Sequence, residues 1–578
     1  MIKNFYQKEL SNLRELAAEF SGENPALAPM LAAKGDDPDV ERLLEGVAFL
    51  SALVRQRLEE GFPELIEALL RLVDPEALLP VPSGTMVRFG TVRGFMEAVN
   101  VPKGTELASV PVDGARAVFT TSRSVAALPA VVSKCQLEET GPGNHSLTLT
   151  VSSASPVGRW LPETLPVYFA GDYNEASERR RILLSKTREL LVGAKGRETS
   201  LGKGAELGAR GILSPGPFAD PGDDSFGSRD WRGGFSVIRD YFAMPQKFLF
   251  MDLGGFKSRL NPGDSEFVLT FRLKDIKGRL PGFRADDFAL SVCPAENVFD
   301  HPAIPIRIDH RKSEYLIVPQ DRDHGRKTIF RVGKVSGVTK DGVERAWLPF
   351  ERLPDKRPGD GAYSLFVRRS PISGVPEHYL RLIYEENEDP APETLSVNLK
   401  CYNRGLSEQL RTGEINRPTD SSPAMTVFAN LTAPTRHGPG VSDDGKLWKL
   451  LSRLHANLMS SLSARTLREV LLLHSVDDDP DVGRSLSNLK RINALSDVRT
   501  EKEDYFFRGI PIRGTKITVE ADSAGFGSQG DLRLLGDALD VFFGHFHHLN
   551  SYTRLSVVEK NSREESSWPP RLGTRRLV

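Results

Sequence analysis

The chain has 578 residues, of which 77 are acidic and 76 basic, so its formal net charge is only -1. This balance gives no whole-molecule electrostatic support for binding nucleic acid or an anionic membrane. The sequence shows neither a signal-like N-terminus nor an uncharged apolar run of about 18 residues, so we expect a soluble cytosolic protein without membrane insertion. The 3 cysteines are far apart and lack CxxC spacing, which argues against a disulfide framework or a zinc site.

Composition and patterning together predict the fold class. The 50 glycines and 39 prolines favour many turns and short strands over a helical bundle. We expect an α+β chain, with a helical N-terminal region followed by several antiparallel β-rich domains that carry a few inserted helices. The predicted domains are residues 1–82, 83–230, 231–390 and 391–578.

The N-terminal region is predicted to be helical. Residues 5–33 place their apolar side chains on one side of a helix. A second helical stretch starts with Asp37 at the N-cap position and Pro38 at the first helical position. Gly61 and Pro63 interrupt that stretch, so we expect two helices there rather than one.

An apolar stripe follows the first of these two helices. Its members recur near helical spacing while charged residues fall mostly off the stripe, so one face must be buried. Two interpretations stay open: the stripe packs on its own domain, or it is shared with a partner chain. The candidate interface residues are Val40, Leu43, Val47, Leu50, Val54 and Leu58.

Residues 83–230 are predicted to form the first β-rich domain, because short β-favouring runs alternate with turn residues. Residues 175–192 are predicted to form a basic helix, with the arginines at 179–181 on a solvated face. Residues 193–230 are rich in Gly, Pro, Asp and Ser and predict a long exposed loop or linker.

Residues 231–390 are predicted to form a second β-rich domain, whose short strand-like runs include Ile238–Phe242. Residues 391–578 predict an α/β region with helices at 447–473 and 532–548. The second of these helices is expected to lie between two strands. We find no repeat of fixed period along the chain.

A GxGxxG string precedes the last predicted helix, with glycines at Gly525, Gly527 and Gly530. A strand before it and a helix after it are the context of a dinucleotide-binding fingerprint. However, the string lies near the C-terminus, and no acidic residue follows about 20 residues later. We therefore favour a tight strand-to-helix connection and keep a dinucleotide-binding enzyme as the weaker alternative.

The remaining chemical signals are weak. No nucleotide-binding P-loop register and no GxSxG elbow can be drawn. His545, His547 and His548 lie close together, but no spacing supplies further metal ligands, so we interpret them as ordinary partly buried histidines. The sequence thus predicts no catalytic residue, no cofactor and no metal site.

Several strings, taken in chain order, resemble one known family. They are FYQKELSNLRELAAEF (5–20), DPDVERLLEGVAFLSALVRQRLEEGFPELIEALL (37–70), RDYFAMPQKFLFMDL (239–253), CPAENVFD (293–300), LSVNLKCYNRGL (395–406), ANLTAPT (429–435), LWKLLSRLHANLMSSL (447–462), LNSYTRL (549–555) and SWPPRLGTRRLV (567–578). The family is TssF, a baseplate subunit of the type VI secretion system that is distantly related to wedge proteins of contractile phage tails.

The resemblance departs from the family pattern at a few positions. Tyr402 replaces a usual Thr, Gly405 and Ser407 stand where Asp and Pro are common, and Tyr552 replaces Phe. These departures affect fine statements about residues 402–407 and not the family. The packing residues that the family strings imply are Tyr241, Phe242, Pro245, Phe248, Cys401, Asn403, Arg404, Trp448, Asn457, Asn550, Ser551 and Trp568.

The resemblance implies a structural subunit rather than an enzyme. TssF-like proteins combine with TssG, typically two TssF copies to one TssG, and with TssK and TssE to form a wedge. Wedges close around the VgrG hub and template the Hcp tube and the sheath. The resemblance therefore implies these partners, a second TssF copy, and a cytoplasmic protein docked at the inner membrane complex. A wedge protein of a phage or another contractile particle is the alternative.

Overall fold

The computed structural model describes most of the chain. The described residues are 2–23, 38–73, 75–215, 233–276, 278, 280–309, 311–320, 326–340, 342–357, 359–370, 376–384, 392–438, 440, 462–475, 482–507, 510–547 and 551–573. The helices in these ranges are α1 (Ile2–Glu23), α2 (Pro38–Val73), α3 (Tyr173–Lys186), α4 (Glu206–Ala209), α5 (Gly233–Ala243), α6 (Ala464–His474), α7 (Val482–Asn493) and α8 (Gln529–Phe546).

Helices α1 and α2 belong to one compact unit, which includes Met1–Leu78, and they pack against each other. The predicted break at Gly61 and Pro63 is wrong, because α2 runs through both residues. A Gly and a Pro inside a helix cost about 1 and about 3 kcal/mol relative to Ala. Ile66 and Leu70 are fully buried beyond that point, so packing continues past it and offsets the cost.

The described strands all belong to the second unit, which begins at Leu79. They are β1 (Gly84–Thr91), β2 (Val99–Val101), β3 (Glu106–Ser109), β4 (Val118–Thr121), β5 (Val125–Ala127), β6 (Ala130–Gly141), β7 (Asn144–Ser153), β8 (Thr164–Phe169), β9 (Thr187–Gly193), β10 (Thr199–Lys203), β11 (Leu213–Pro215), β12 (Phe250–Gly254), β13 (Glu266–Leu273), β14 (Phe288–Leu290), β15 (Val292–Glu296), β16 (Phe299–Pro302), β17 (Ile306–Ile308), β18 (Glu314–Ile317), β19 (Lys327–Thr339), β20 (Glu344–Pro349), β21 (Gly361–Arg369), β22 (Pro376–Ile383), β23 (Glu393–Asn403), β24 (Ile415–Pro418), β25 (Thr426–Asn430), β26 (Leu495–Phe507), β27 (Ile510–Ala521), β28 (Tyr552–Glu559), β29 (Glu565–Ser567) and β30 (Arg571–Leu572).

A six-stranded antiparallel sheet has the order β24-β3-β4-β15-β1-β25. Its strands come from three of the four predicted domains, whose boundaries themselves stay a prediction. The side chain of Asn430 joins the two ends of this sheet: its Oδ1 accepts from the Ile415 N–H at 2.9 Å, and its Nδ2 donates to the Arg411 carbonyl at 3.0 Å. Asn430 is almost fully buried, so its side-chain amide provides inside the core the hydrogen bonds that join the β24 end of the sheet to the β25 end.

A second large sheet has the order β16-β23-β19-β20-β21-β22-β18, with β17 also paired to β23. Its pairs are antiparallel except β20 with β21. Its two ends meet, because the Ile304 N–H donates to the Val318 carbonyl at 2.8 Å and the Gln320 N–H donates to the Pro302 carbonyl at 2.9 Å. We call this closed sheet the barrel; its apolar core includes Trp347, Tyr363 and Leu399.

Two further sheets have the orders β10-β9-β13-β7-β6 and β11-β12-β8-β14. Residues 187–192, predicted as the end of the basic helix, form part of β9 instead. Residues 199–215, predicted within a loop or linker, form β10, α4 and β11. Strands β10 and β11 each lie at the edge of a sheet, where a short strand needs only one neighbour. Sequence periodicity therefore could not reveal these two strands.

The C-terminal region has a strand-helix-strand core. Strands β27 and β28 pair in parallel, and α8 connects them as the crossover helix. Strand β26 flanks β27, while β29 and β30 pair with β28. The predicted strand, glycine-rich turn, helix and second strand therefore appear in the predicted order.

Two other predicted elements differ from the structure. Ile238–Phe242, predicted as a strand, lies inside α5, because its apolar residues face α8 on one side of a helix. Of the helix predicted at 447–473, only residues 462–473 are described, and the prediction is wrong at Leu462 and Ser463, because Ser463 is the extended N-cap and α6 begins at Ala464. Among the described helices, none has both the length and the apolar character that a membrane span requires.

Candidate protein interfaces

The predicted apolar stripe on α2 is exposed to solvent in this chain. Leu43, Val47, Leu50 and Val54 are 69, 47, 62 and 61% exposed. The side chains of Val40 and Leu58 lie outside the described set. Other faces of the same helix behave differently, since Ala48 and Ala52 are 0% exposed.

The exposed residues of the stripe repeat at alternating steps of four, three and four residues. This is the a and d spacing of a heptad, which places one narrow apolar seam along a helix. Valines occupy the a positions at Val47 and Val54, and leucines occupy the d positions at Leu43 and Leu50. In parallel coiled coils, β-branched residues at a with leucine at d favour two strands. The stripe therefore has the chemistry of a helix-helix seam.

Helix α8 shows the opposite arrangement, because it is buried along most of its length and carries three buried aspartates. Asp531, the first of them, accepts from the hydroxyl of Tyr173 at 2.6 Å and from that of Tyr241 at 2.8 Å. The Nε–H of Arg491 donates to its other oxygen at 2.8 Å. Burial and the neighbouring Asp531 raise the pKa of Tyr241 well above its ordinary value, so the phenol stays a donor. These contacts fix α8 to α3, α5 and α7.

The second aspartate on α8 pairs with a buried arginine of α3. Arg180 is 1% exposed and donates to Asp537 at 2.7 Å and to the Phe250 carbonyl at 2.8 Å. The indole N–H of Trp568 donates to the other oxygen of Asp537 at 2.7 Å. Asp540, the third aspartate, accepts from the Nε–H of Arg571 at 2.7 Å.

The prediction that the arginine run is solvated is wrong, because the three side chains are largely enclosed by their ion-pair partners. Arg179 is 4% exposed and donates to the Gly282 carbonyl at 2.6 Å and to Glu175 at 2.6 Å. Arg181 pairs with Glu178 at 2.6 Å. The sequence signal for this burial was the presence of aspartates inside the apolar pattern of α8, since a buried carboxylate needs a nearby cation.

The GxGxxG loop is a packing site between α3 and α8. The Gly530 N–H donates to the carboxylate of Glu178 at 2.9 Å, so a side chain of the same chain occupies the N-terminus of α8, where an anion is favoured. A Cβ added at Gly530 would lie 2.2 Å from the backbone of Ser177. At Gly527 it would lie 2.0 Å from Asn174. The glycines thus permit close approach of two helices, and the space that a pyrophosphate would need is filled.

The string at residues 239–253 connects to the string at residues 293–300. Lys247 donates to Asp240 at 3.0 Å and also to Glu296. Burial lowers the pKa of Lys247, but the two carboxylates outweigh it and hold that pKa above its ordinary value. Phe242 and Phe248 are buried beside it, and Pro245 begins a 3-10 helix between them.

The next connection joins the 293–300 string to the 395–406 string through two buried asparagines. The Asn403 N–H donates to Asn297 Oδ1 at 2.8 Å, and Asn297 Nδ2 donates to Asn403 Oδ1 at 3.0 Å. The Val118 N–H also donates to Asn403 Oδ1, at 3.1 Å. This pair links β23 of the barrel to β4 of the six-stranded sheet. Cys401 is fully buried in the barrel core, whereas Arg404 is exposed.

The ANLTAPT string extends the pairing of β25 with the start of β1. Thr432 Oγ1 accepts from the Met86 N–H at 3.1 Å, and Thr435 Oγ1 accepts from the Gly84 N–H at 3.0 Å. Threonine hydroxyls therefore continue the ladder after Asn430.

Trp448, Asn457 and Asn550 lie outside the described residues. The Ser551 carbonyl accepts from the Gly573 N–H at 2.9 Å.

One cluster has the residue types of a hydrolase triad without the geometry. Ser407 Oγ and Glu408 Oε1 both approach the same ring nitrogen of His437, Nδ1, at 3.3 and 3.9 Å. A triad needs the hydroxyl and the carboxylate on opposite ring nitrogens. The hydroxyl is also inaccessible, because Ser407 is 0% exposed. The cluster packs instead beside Tyr402, whose ring lies 4.6 Å from that of His437.

Three of the family strings, at 239–253, 293–300 and 395–406, are thus joined by direct hydrogen bonds between residues 49 and 106 positions apart. A family model described as "Type VI secretion system, TssF" matches residues 1–575. The chain belongs to this TssF family. The match spans nearly the whole chain, so it covers the α2 stripe, the barrel and α8 alike.

Similar proteins support the same assignment. The type VI secretion system component TssF1 of Pseudomonas aeruginosa is 25% identical over 99% of this chain and 98% of its own length. A solved chain from a TssK-TssF-TssG baseplate subcomplex is 24% identical, with a TM-score of 0.76 over 92% of this chain and 98% of the other. A chain from a type VI secretion baseplate complex is 20% identical, with a TM-score of 0.63 over the full length of both.

The predicted family, fold class and structural baseplate role are confirmed by these similarities. The chain is a structural component of the type VI secretion baseplate. The interface assignment of the α2 stripe stays a prediction, and the exposure of four of its residues now gives that prediction a physical basis.

Proposed function

We propose that this TssF-family chain is a wedge subunit that assembles with TssG-type and TssK-type subunits and with TssE. Wedges of this kind would surround the VgrG hub, template the Hcp tube and the sheath, and pass on the trigger for contraction. The site of action would be the cytoplasm, at the inner membrane complex. The solved relative with a TM-score of 0.76 belongs to a TssK-TssF-TssG subcomplex, which supports the first two partners.

The observation that carries this proposal is the exposed seam on α2. Exposed single apolar residues are normal on a protein surface. Here, however, four apolar residues form a continuous heptad seam with exposures of 47 to 69%. A helix with such a seam gains apolar burial only when a second helix covers it.

We assign that second helix to α2 of another copy of this chain. In a parallel pair, a residues meet a residues and d residues meet d residues, so identical helices match without further adjustment. Beside the seam, the g positions are Asp39, Gly46 and Leu53 and the e positions are Leu44 and Ser51. No two like charges therefore face each other when two such helices pair in parallel and in register. A TssG-type subunit would complete the assembly around the paired helices.

Co-expression tests this proposal. The full chain is produced with the TssG-type subunit encoded in the same gene cluster, purified through a tag on the TssG-type subunit, and sized by mass photometry. We expect a stable complex with two copies of this chain per TssG-type subunit. A monodisperse monomer that never co-purifies with the TssG-type subunit would contradict the proposal.

A further inference from the structure

A cleft on the C-terminal sheet carries polar side chains that the packing of the fold does not use. Successive side chains of a strand point to opposite faces, so Lys516 and Arg554 lie on the face opposite to the buried Ile517 and Leu555. The cleft opens on this outer face and has a volume of about 410 Å³. Ligand pockets commonly measure about 300–1,000 Å³. We call it the sheet cleft.

A bulge in the strand pairing forms one wall of the sheet cleft. Between the Thr553–Arg571 pair and the Ser556–Ser567 pair, two residues of β28 lie opposite residues 568–570. The extra residue lets the chain arch away from β28, and bulges of this kind often shape functional sites. The two prolines of this range line the cleft and have no N–H to donate, so they give the wall an apolar surface.

Trp568 holds this wall in place. Its indole N–H donates to Asp537 at 2.7 Å, and the Arg533 guanidinium lies 4.2 Å from its ring. Its backbone N–H donates to the Leu555 carbonyl at 2.9 Å. The cleft therefore has its shape before a ligand binds, which lowers the entropy cost of binding.

Three successive rows of side chains cross the floor of the sheet cleft. Lys516 and Arg554 are neighbours in the first row, Ser556 and Ser567 are neighbours in the second, and Glu565 lies in the third. Neighbouring rows are about 6.7 Å apart. All five residues line the cleft. Their order along the cleft is thus cations, hydroxyls and a carboxylate.

The polar groups of these rows differ in whether the protein already satisfies them. Arg554 pairs with Glu503. Among the residues that the structure describes, neither Lys516 nor Glu565 has an ion-pair partner. Ser556 is 2% exposed, yet its hydroxyl also has no hydrogen-bond partner in the described part of the chain. A buried hydroxyl is costly without a hydrogen bond, so these groups indicate a ligand.

The other charges on this face of the sheet do not fill that role. Arg499 pairs with Asp497 at 2.8 Å, and Glu520 pairs with Arg563 at 3.5 Å. Glu501, next to the first row on β26, is exposed and lies outside the cleft lining. The cleft therefore offers one unpaired cation and one unpaired carboxylate. A ligand with a single charge would leave one of them unmatched.

We propose that the sheet cleft binds a short peptide with free ends, of the size of a dipeptide. Lys516 pairs with the ligand's carboxylate, and Glu565 pairs with its ammonium group. The hydroxyls of Ser556 and Ser567 lie between them and bond to the amide, while the proline wall contacts a ligand side chain. The proposal is independent of the proposed function, since every residue of the cleft belongs to this chain.

Isothermal titration calorimetry of the full chain tests this proposal with three matched probes. They are alanylalanine, its N-acetyl derivative, which lacks the ammonium group, and its C-terminal amide, which lacks the carboxylate. We expect alanylalanine to bind with a Kd of about 1 mM or lower. Each derivative should bind about tenfold more weakly, because it loses one charge-assisted hydrogen bond.

Two variants connect the loss of each charge to one side chain. Lys516→Gln should weaken alanylalanine binding about tenfold but leave binding of the amide unchanged, because the amide has no carboxylate to lose. Glu565→Gln should weaken alanylalanine binding about tenfold but leave binding of the N-acetyl derivative unchanged. Glu501→Gln, outside the cleft lining, serves as the control and should bind all three probes as the unchanged chain does. The thermal unfolding midpoint shows that each variant is folded.

Three results would overturn the proposal. The first is no binding of alanylalanine at concentrations up to about 10 mM. The second is equal affinity for alanylalanine and its N-acetyl derivative, which would show that the cleft binds only an anion. The third is binding that neither Lys516→Gln nor Glu565→Gln weakens, which would place the ligand elsewhere on the chain.

Discussion

The side chains of helices α2 and α8 differ in whether their contact partners lie within the chain. Helix α8 buries three aspartates, and the chain itself provides tyrosine, arginine and tryptophan donors for them. Helix α2 leaves an apolar heptad seam exposed over four residues. Polar groups that are matched within the chain indicate a folding role, whereas apolar groups left outside indicate an assembly role. Substitutions in α8 should therefore lower the free energy of unfolding of the chain, whereas substitutions in the α2 seam should affect assembly.

The largest effect is expected from Asp537→Ala on α8. The change leaves the fully buried Arg180 without its carboxylate, and removing one partner of a buried ion pair costs about 3–5 kcal/mol. Urea unfolding of the purified chain should show this loss in the free energy of unfolding. A loss below about 1 kcal/mol would mean that water or another group compensates Arg180, and the contrast between the helices would weaken.

A glycine pair sharpens the same contrast. Gly530→Ala on α8 should destabilise the chain by about 1–3 kcal/mol, because its Cβ would lie 2.2 Å from the backbone of Ser177. At Gly46 on α2, an added Cβ would have no atom within 4 Å. Gly46→Ala should therefore stabilise the helix by up to about 1 kcal/mol. Thermal unfolding of both variants measures the difference. Equal effects of the same sign would contradict the close packing of α8 against α3.

The surroundings of α8 also predict a dependence on pH. Burial, with a smaller contribution from Arg239, lowers the pKa of His474 to about 3, and its ring stacks on Phe235, which contacts Phe542 of α8. The unfolded chain binds this proton near pH 6.5 and the folded chain does not, so stability is complete above pH 6.5 and decreases as pH falls. Between pH 7.5 and 5.5 the loss should be about 1.4 kcal/mol.

The variant His474→Phe isolates this contribution, because it keeps a ring against Phe235 and removes the titrating group. Urea unfolding at the two pH values should show a smaller decrease for the variant than for the unchanged chain. An equal decrease in both proteins would show that His474 does not remain neutral in the fold.

Local sequence patterns predicted which helices and strands form better than they predicted what those elements pack against. The start of α2 at Pro38 was predictable, because an acidic residue followed by proline is a local signal for a helix start. The break at Gly61 and Pro63 was predicted wrongly, because packing beyond that point overrides helix propensity. The burial of Arg180 was missed because its carboxylate partner lies on α8, 357 positions away in the sequence. Pairings at that distance leave no periodic signal.

The candidate interface was predictable in part. The apolar stripe was visible as a pattern, but a pattern shows only that one face is buried and not by what. The structure separates the two possibilities residue by residue, since Ala52 is buried and Val54, two positions later, is 61% exposed. The pairing of Tyr379 with Leu316 and Phe366 in the barrel was not predictable, because these residues meet only through the strand register.

The most direct test of an assembly role for α2 compares Val54→Asp with Ala52→Asp in the same helix. Val54→Asp should change the free energy of unfolding of the isolated chain by less than about 0.5 kcal/mol, because the side chain is exposed. It should nevertheless abolish the complex that holds two copies of this chain per TssG-type subunit, because the paired seam would bury a carboxylate. Ala52→Asp should destabilise the helical unit itself. If Val54→Asp unfolds the isolated chain, or if it leaves the complex intact, the seam is not an assembly surface.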